Sequence, residues 1–312
     1  MLLHHDEELF REVIFSTAAD LNLPVPIVEK DYYVTILLKE LSEQAPMCVF
    51  KGGTSLSKCH HAIDRFSEDI DIAFTDPLTQ GQRKNLKNKT IAGISDKLGL
   101  PIADWENSRS RRDYNCYTFS YTPLERFIPD SLIQGVKMEV SLGSTSFPTV
   151  KLPVDSYVYQ YLSKENMDIV EEYSLQPFEM NLQSLERTFA DKVFAVCDYY
   201  LTGRVKRNSR HLYDIYMLSP RIELNANFKN LVHQVREVRA QMEICPSAKS
   251  GVNVPELLKE IISKKSYVDD YASITSYLQN HPLPYDEAIK ALEQIAESDM
   301  FLDDEFYRRN SG

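Results

Sequence analysis

The sequence predicts an α+β protein in which a region of mixed helices and strands precedes a mostly helical region. Short apolar runs bounded by glycine, serine and charge occur in the first half, whereas apolar residues at helical spacing dominate beyond about residue 183. We therefore predict an α/β domain with a helical lead-in over residues 1–180 and a helical domain over residues 181–312. A chain of 312 residues is long enough for two such domains.

The first half contains the elements of a single predicted sheet. Helical spacing of apolar residues predicts helices at residues 6–21, 26–44 and 80–98. Short apolar runs predict strands at residues 48–50, 70–74, 117–121 and 136–140. Segments that carry proline, glycine and charge predict loops or hairpin connections at residues 101–114 and 122–134.

The second half is predicted to be helical throughout. A long helix is expected from Leu185 to Leu201, and shorter helices are expected near residues 208–218, 227–242, 254–263 and 285–297. The boundary between the two predicted domains falls near residues 150–183, where Pro148, Pro153 and Pro177 occur, and the sequence does not mark it sharply.

Composition limits the classes of function. The formal net charge is −11, so any contact with nucleic acid has to come from a local basic patch. Five widely spaced cysteines without a CxxC pair argue against a disulfide framework or a structural zinc site. No apolar stretch approaches the roughly 18 residues of a membrane span, and the acidic N-terminus lacks a signal-peptide core. We expect a cytoplasmic protein with no membrane partner.

The most informative stretch is the turn Gly52-Gly53-Thr54-Ser55, which follows the apolar residues of a predicted strand. Glycines allow a ligand to approach the backbone closely, and the free N–H groups at the start of a helix stabilise anionic oxygens. Ser55 would add a hydroxyl donor. The turn therefore predicts a phosphate site, although a simple capped helix would give the same pattern.

Two carboxylates follow on the next predicted strand. Alternation places Asp69 and Asp71 on one face of that strand and the isoleucines at positions 70 and 72 on the other. Adjacent carboxylates repel unless a cation lies between them, and Mg²⁺ prefers hard oxygen ligands together with substrate phosphates. The pattern predicts a metal–triphosphate site; a half-exposed strand edge with acidic residues is the alternative.

Together these residues resemble the signature of the nucleotidyltransferase fold of the DNA polymerase beta type. More specifically, Glu29–Tyr33 (Glu-Lys-Asp-Tyr-Tyr), Phe50–Ser55 and Arg65–Asp71 (Arg-Phe-Ser-Glu-Asp-Ile-Asp) are similar to the AbiEii/AbiGii toxin family. The resemblance implies that Gly52, Gly53, Thr54 and Ser55 hold an NTP. It also implies that Asp69 and Asp71 bind Mg²⁺, with Mn²⁺ as an alternative ion.

The resemblance extends into the helical half. Glu186–Val193 (Glu-Arg-Thr-Phe-Ala-Asp-Lys-Val) and Arg210–Tyr216 (Arg-His-Leu-Tyr-Asp-Ile-Tyr) look like later motifs of that family, in which the lysine and the aspartate are functional. Lys192 would then donate to the phosphates, and Asp214 would orient it or help to activate the attacking hydroxyl. The ordinary alternatives are a solvated helix turn for Lys192, and Arg210 or Arg207 as partner of Asp214. His211 is a departure, because relatives often carry an acidic residue there.

Other polar residues are weaker candidates. Glu139 alternates with Lys137 on its predicted strand and would supply a third metal-binding carboxylate, or it is simply exposed on the sheet. Basic residues cluster at 204–211 and at Arg109, Arg111 and Arg112. These clusters would hold the backbone of an RNA acceptor, or they only solvate a surface.

The resemblance implies a Mg²⁺-dependent nucleotidyltransferase that moves NMP from NTP to an acceptor hydroxyl and releases pyrophosphate. It further implies the toxin of a bacterial toxin–antitoxin or phage-defence pair, with tRNA as the expected acceptor and an antitoxin protein as partner. The helical domain is expected to close over the cleft and to bring Lys192 near the two aspartates. The rival hypothesis is a non-catalytic module that binds NTP or a protein partner, but the presence of Asp69, Asp71, Lys192 and Asp214 favours an enzyme.

Overall fold

A computed structural model describes residues 1–125, 134–276, 279 and 281–303. The chain divides into two compact units by its internal contacts. The first unit contains Met1–Cys59 and Ser67–Leu182, and the second contains His60–Phe66 and Gln183–Gly312. The short segment 60–66 therefore leaves the sheet-forming half of the sequence and belongs to the helical unit.

Two helices open the first unit, as predicted: α1 (Glu7–Leu21) and α2 (Val25–Gln44). The Asp6 carboxylate accepts a hydrogen bond from the backbone N–H of Leu9, which satisfies a free donor at the start of α1. Pro24 precedes α2 and Pro26 occupies its first turn, where the missing N–H costs nothing. α2 is apolar on most sides and contributes many side chains to the core of this unit.

A six-stranded sheet forms the centre of the first unit, in the order β3-β4-β2-β1-β6-β5. The strands are β1 (Cys48–Lys51), β2 (Ile70–Phe74), β3 (Tyr114–Phe119), β4 (Val136–Thr145), β5 (Thr149–Val154) and β6 (Phe178–Gln183). β1 is antiparallel to β2 and parallel to β6, whereas β2 and β4 are parallel and β3 and β4 antiparallel. The mixed sheet confirms the predicted fold class.

The prediction missed the elements between residues 149 and 183. β5 alternates poorly and contains Pro153, and β6 mixes polar and apolar residues, so neither shows a clear strand pattern. Between them lie α6 (Tyr157–Glu165) and α7 (Met167–Glu172). β3 begins three residues before the predicted strand, and β4 extends five residues beyond its prediction.

The connections in the first unit are mainly helical. α3 (Gly52–Lys58) follows β1 directly. The predicted helix at 80–98 is continuous but changes its winding, from α4 (Gln80–Asn85) through a π-helical turn (Leu86–Ile91) to α5 (Ala92–Leu98). A 3₁₀ turn, Trp105–Asn107, lies in the loop before β3. The predicted loop at 122–134 falls partly on residues 126–133, which lie outside the described residues.

The second unit is helical, as predicted. Its helices are α8 (Leu185–Leu201), α9 (Arg210–Leu218), α10 (Ala226–Ala240), α11 (Val254–Ser263), α12 (Val268–Asp270), which continues into a π turn (Tyr271–Thr275), and α13 (Tyr285–Glu297). Two 3₁₀ turns, Ser219–Arg221 and Pro246–Ala248, connect them. Across the described ranges of the chain, no helix combines the length and apolar character needed to cross a membrane.

Candidate active site

A row of polar residues crosses one face of the sheet in the first unit. Asp71 is the register partner of Lys51 on β1 and of Glu139 on β4, and Glu139 is in turn the partner of Cys116 on β3. Register partners project to the same face of a sheet. These residues are partly exposed, whereas Ile70 on the opposite face is fully buried in the core. Asp71 and Ile70 therefore lie on opposite faces of β2, as the alternation predicts, whereas Asp69 directly precedes the strand and its place on the same face as Asp71 stays a prediction.

The glycine turn touches this row directly. Gly52 has φ +77°, a left-handed conformation that disfavours a side chain. A Cβ added to Gly52 would lie 2.7 Å from Cγ and 3.0 Å from Cβ of Asp71. The backbone conformation and the close approach of the carboxylate both require glycine at this position. The first residue of the turn and the second aspartate of the pair thus form one site.

The hydroxyl groups of the turn hold its shape. Ser55 is fully buried, and its hydroxyl donates to the backbone carbonyl of Gly52 over 2.9 Å. The buried Thr54 hydroxyl donates to Ser67 Oγ over 3.0 Å. The groups of the turn that remain partly exposed are the backbones of Gly52 and Gly53. Phosphate binding by these four residues stays a prediction, and in this arrangement the backbone is better placed for it than the hydroxyls.

Partly buried ion pairs hold the segments that carry the turn and the aspartates. Lys30 on α2 forms an ion pair with Glu68, the residue before Asp69. Asp31 accepts a hydrogen bond from Lys58 at the end of α3, over 2.5 Å, and another from the backbone N–H of Tyr157, over 2.8 Å. The Glu-Lys-Asp motif of α2 therefore anchors both segments. Removing one partner of such a partly buried pair should cost more than the roughly 1 kcal/mol typical of an exposed pair.

The charges on the polar face act on one another. Lys137 Nζ lies 3.6 Å from the Glu139 carboxylate. Burial would lower the pKa of Lys137, but Glu139 and Asp69 raise it above its ordinary value. Burial raises the pKa of Tyr114, and the charges of Glu139 and Asp71 raise it further. All three carboxylates therefore contribute to one negative field on this face.

The donor chemistry of this face suits a hard divalent cation. Mg²⁺ typically takes one or two protein carboxylates and completes its shell with water and substrate phosphates. Asp69 and Asp71 match that donor set, and Gly52 allows the Asp71 carboxylate to approach the backbone of the turn closely. Among the residues that the structure describes, no group of three or more His, Cys, Asp or Glu is arranged to hold a metal ion. Glu139 as a third ligand stays a prediction.

The second unit brings Lys192 and Asp214 together. Lys192 Nζ lies 2.5 Å from Asp214 Oδ2. Arg65 forms a fork on the same carboxylate, with Nε 2.7 Å from Oδ1 and Nη2 2.7 Å from Oδ2. Asp214 is fully buried, and both cations are nearly so. This arrangement excludes a solvated turn for Lys192, and it assigns Asp214 to partners other than Arg207 or Arg210.

Burial and charge shift the protonation of this triad. Burial alone would raise the pKa of the Asp214 carboxyl, but Arg65 and Lys192 hold it below its ordinary range. Burial lowers the pKa of Lys192, an effect that Asp214 partly offsets. Burial and the charges of Lys192 and Arg210 hold the pKa of His211 well below its usual value. Asp214 is therefore a carboxylate that orients the Lys192 ammonium, while His211 is neutral at physiological pH.

Arg65 is the residue of this triad to which the sequence assigned no role. Arg65 is the first residue of the Arg-Phe-Ser-Glu-Asp motif, and that position could have marked it as functional. Its partner Asp214 lies 149 residues away in sequence, so the motif alone could not identify the ion pair. Unlike the buried Arg65, most of the basic residues of the two predicted clusters are exposed. The exposed ones are Arg204, Lys206 and Arg207 in the second unit and Arg109, Arg111 and Arg112 in the first.

Comparison with known proteins identifies the family. No curated protein matches the chain. A family model described as nucleotidyl transferase AbiEii toxin, type IV toxin–antitoxin system, matches residues 36–298, which include the turn, the aspartate pair, Lys192 and Asp214. Because the match covers most of the sequence, the chain belongs to the AbiEii nucleotidyltransferase toxin family of type IV toxin–antitoxin systems.

Proposed function

We propose that the protein is a Mg²⁺-dependent nucleotidyltransferase that moves NMP from an NTP to an acceptor hydroxyl and releases pyrophosphate. The family supplies the reaction class. The observation that carries the finer proposal is the contact between Gly52 and Asp71, because it joins a backbone suited to phosphates to a carboxylate suited to the metal.

Each predicted residue has a chemical role in this proposal. The backbone of Gly52–Ser55 holds the triphosphate, and Asp69 and Asp71 hold Mg²⁺ or Mn²⁺, with Glu139 as an additional ligand. When bound, the metal neutralises charge on the reacting phosphate and on the leaving pyrophosphate. Lys192 donates to phosphate oxygens whose charge increases during transfer.

Asp214 is a positioning residue in this proposal. Its carboxylate contacts Lys192 and Arg65 but is fully buried, so it acts by fixing the direction of the Lys192 ammonium. Lys192 Nζ donates to Asp214 Oδ2, and an ammonium has three N–H donors, so the others can serve an anionic ligand.

The biological part of the proposal follows the family. Membership in a type IV toxin–antitoxin family implies a cognate antitoxin. We propose tRNA as the acceptor, the cytoplasm as the location and phage defence as the setting. The exposed arginines of both units are consistent with an RNA acceptor, because phosphate contacts by Lys and Arg supply most of the affinity for nucleic acid.

A transfer assay tests the proposal. The protein is incubated with each α-labelled NTP in turn, bulk tRNA and Mg²⁺, and label in RNA and released pyrophosphate are measured. We expect Asp69→Asn and Asp71→Asn each to lower transfer at least 100-fold, because each removes a metal-binding charge. Asp76→Asn is the matched control, since Asp76 is exposed just beyond β2. Wild-type transfer in either variant, or NTP binding without transfer in the wild type, would favour the non-catalytic module.

A further inference from the structure

A cationic surface surrounds the single tryptophan of this acidic chain. We call it the Trp105 patch and define it by Lys87, Trp105, Arg109, Arg111 and Arg112. Lys87 lies in the π-helical turn between α4 and α5, and the other four lie in the loop before β3. The three arginines are exposed. The same loop also carries Asp104, Glu106 and Asp113, so the four cations of the patch exceed these neighbouring carboxylates by one, in a protein whose net charge is −11.

Two cations of the patch converge on one carbonyl oxygen. Lys87 Nζ donates to the backbone oxygen of Ser108 over 2.8 Å, and Arg109 Nη1 donates to the same oxygen over 2.9 Å. Burial lowers the pKa of Lys87, and the nearby charge of Arg109 lowers it further. Glu106 offsets part of the repulsion between these like charges, and an anionic ligand would offset more of it.

Trp105 adds an aromatic surface beside these charges. The Lys87 ammonium lies 4.5 Å from the centroid of the indole ring, a cation–π contact. Trp105 also lines a surface hollow of about 580 Å³, whose other walls include Pro101 and Ile102. The indole is only partly buried. A cation, exposed arginines and an accessible aromatic ring are together the features that bind single-stranded nucleic acid.

The patch is anchored to edge strand β3, within the same unit as the proposed active site. The Asn115 side chain on β3 accepts from the backbone N–H of Arg109 over 2.8 Å and donates to its carbonyl over 3.1 Å. β3 is separated from β2, which carries Asp71, only by β4. Asn115 alternates with Cys116 along β3, so the patch is anchored on the face opposite to the one that carries Asp71, and an RNA docked there would pass around edge strand β3 to reach the carboxylates.

We propose that the Trp105 patch is the docking surface for the RNA acceptor, with backbone phosphates on Arg109, Arg111 and Arg112 and one unstacked base on Trp105. The assignment of RNA as acceptor rests on the proposed function. An acidic protein would satisfy the arginines, but it would make no use of an indole ring set among cations. RNA uses both, because every base has a face that stacks on an aromatic side chain.

Intrinsic fluorescence offers a direct test, because Trp105 is the only tryptophan in the chain. The full-length protein is titrated with bulk tRNA and with a single-stranded RNA oligomer, without NTP, at several salt concentrations. We expect saturable quenching that weakens as salt rises. Arg111→Glu/Arg112→Glu should weaken binding at least tenfold and reduce the salt slope by about two. Lys151→Glu, an exposed charge on edge strand β5 at the other end of the sheet, should leave binding unchanged.

The aromatic contact needs its own variants, measured by anisotropy of labelled RNA. Trp105→Ala should weaken binding about tenfold or more, whereas Trp105→Phe should retain most of it, because phenylalanine keeps a stacking surface. RNA binding without quenching, or unchanged binding in the double arginine variant, would overturn the proposal. Poly-L-glutamate that binds as tightly as RNA and gives the same quenching would also overturn it, in favour of an acidic protein partner.

The docking surface and the reaction can fail independently. RNA should quench the fluorescence of the Asp71→Asn protein as it does that of the wild type, since quenching requires neither metal nor NTP. If transfer occurs but the arginine variant transfers normally at limiting RNA, the docking surface is refuted and the proposed function remains. If RNA binds at Trp105 but no NTP is transferred, the proposed function is refuted and the docking surface remains.

Discussion

Replacing Gly52 with alanine should destabilise the protein through two different costs. A side chain at φ +77° costs roughly 1–2 kcal/mol in backbone strain. The new Cβ would also lie 2.7 Å from Cγ of Asp71, so the carboxylate has to move, at a further cost of about 1–3 kcal/mol. We expect Gly52→Ala to lower the free energy of unfolding by about 2–5 kcal/mol and to abolish transfer, because Asp71 is displaced.

Urea unfolding followed by circular dichroism measures the first effect, and a double-mutant cycle separates its parts. In an Asp71→Ala background the carboxylate is gone, so Gly52→Ala should cost less than in the wild type, by up to about 1–3 kcal/mol, the cost assigned to that contact. Gly81→Ala is the control, because Gly81 lies in α4 and a Cβ there would meet nothing within 4 Å. It should be neutral or stabilise the protein by up to about 1 kcal/mol. Additive penalties for Gly52→Ala and Asp71→Ala would refute the contact.

Four further predictions concern other residues of the site and its support. Lys192→Ala should lower the turnover rate more than it weakens NTP binding, and equal effects on binding and turnover would contradict this prediction. Asp214→Asn should lower the free energy of unfolding by about 3–5 kcal/mol, because two buried cations lose their partner. Ser55→Ala should weaken NTP binding by about 1 kcal/mol or less, whereas a bulky residue in place of Gly53 should prevent NTP binding. Equal NTP affinities of the two variants, measured by nucleotide titration, would place the nucleotide elsewhere. Burial raises the pKa of Glu29 to about 7. The stability that this carboxyl contributes is therefore complete below pH 4.5 and is lost as pH rises through 7. Glu29→Gln should remove this loss, which is roughly 3 kcal/mol at most, and an unchanged pH dependence of unfolding would contradict the prediction.

Local patterns were sufficient to predict most helices. α1, α2, α8, α11 and α13 lie within a residue or two of their predicted bounds, because helical spacing of apolar side chains is a property of contiguous sequence. β5 and β6 were missed for the converse reason. A short strand with mixed polarity is stabilised by its neighbours in the sheet, and those neighbours are distant in sequence.

The candidate site was likewise predictable from sequence only in part. The glycine turn, the alternation of Asp69 and Asp71, and the family resemblance are visible in short stretches of sequence, and the family is confirmed. The contact of Asp71 with Gly52 required the antiparallel register of β1 and β2.

The pairing of Asp214 with Arg65 and Lys192 lay beyond any local pattern. Arg65 is 149 residues from Asp214 in sequence, and the sequence offers the aspartate nearer arginines at positions 207 and 210. Which cation a carboxylate meets depends on which helices pack together and on which groups lose contact with water. Residue types and their spacing on one strand or helix were therefore predictable, whereas partners joined across the fold depended on packing that no short stretch of sequence encodes.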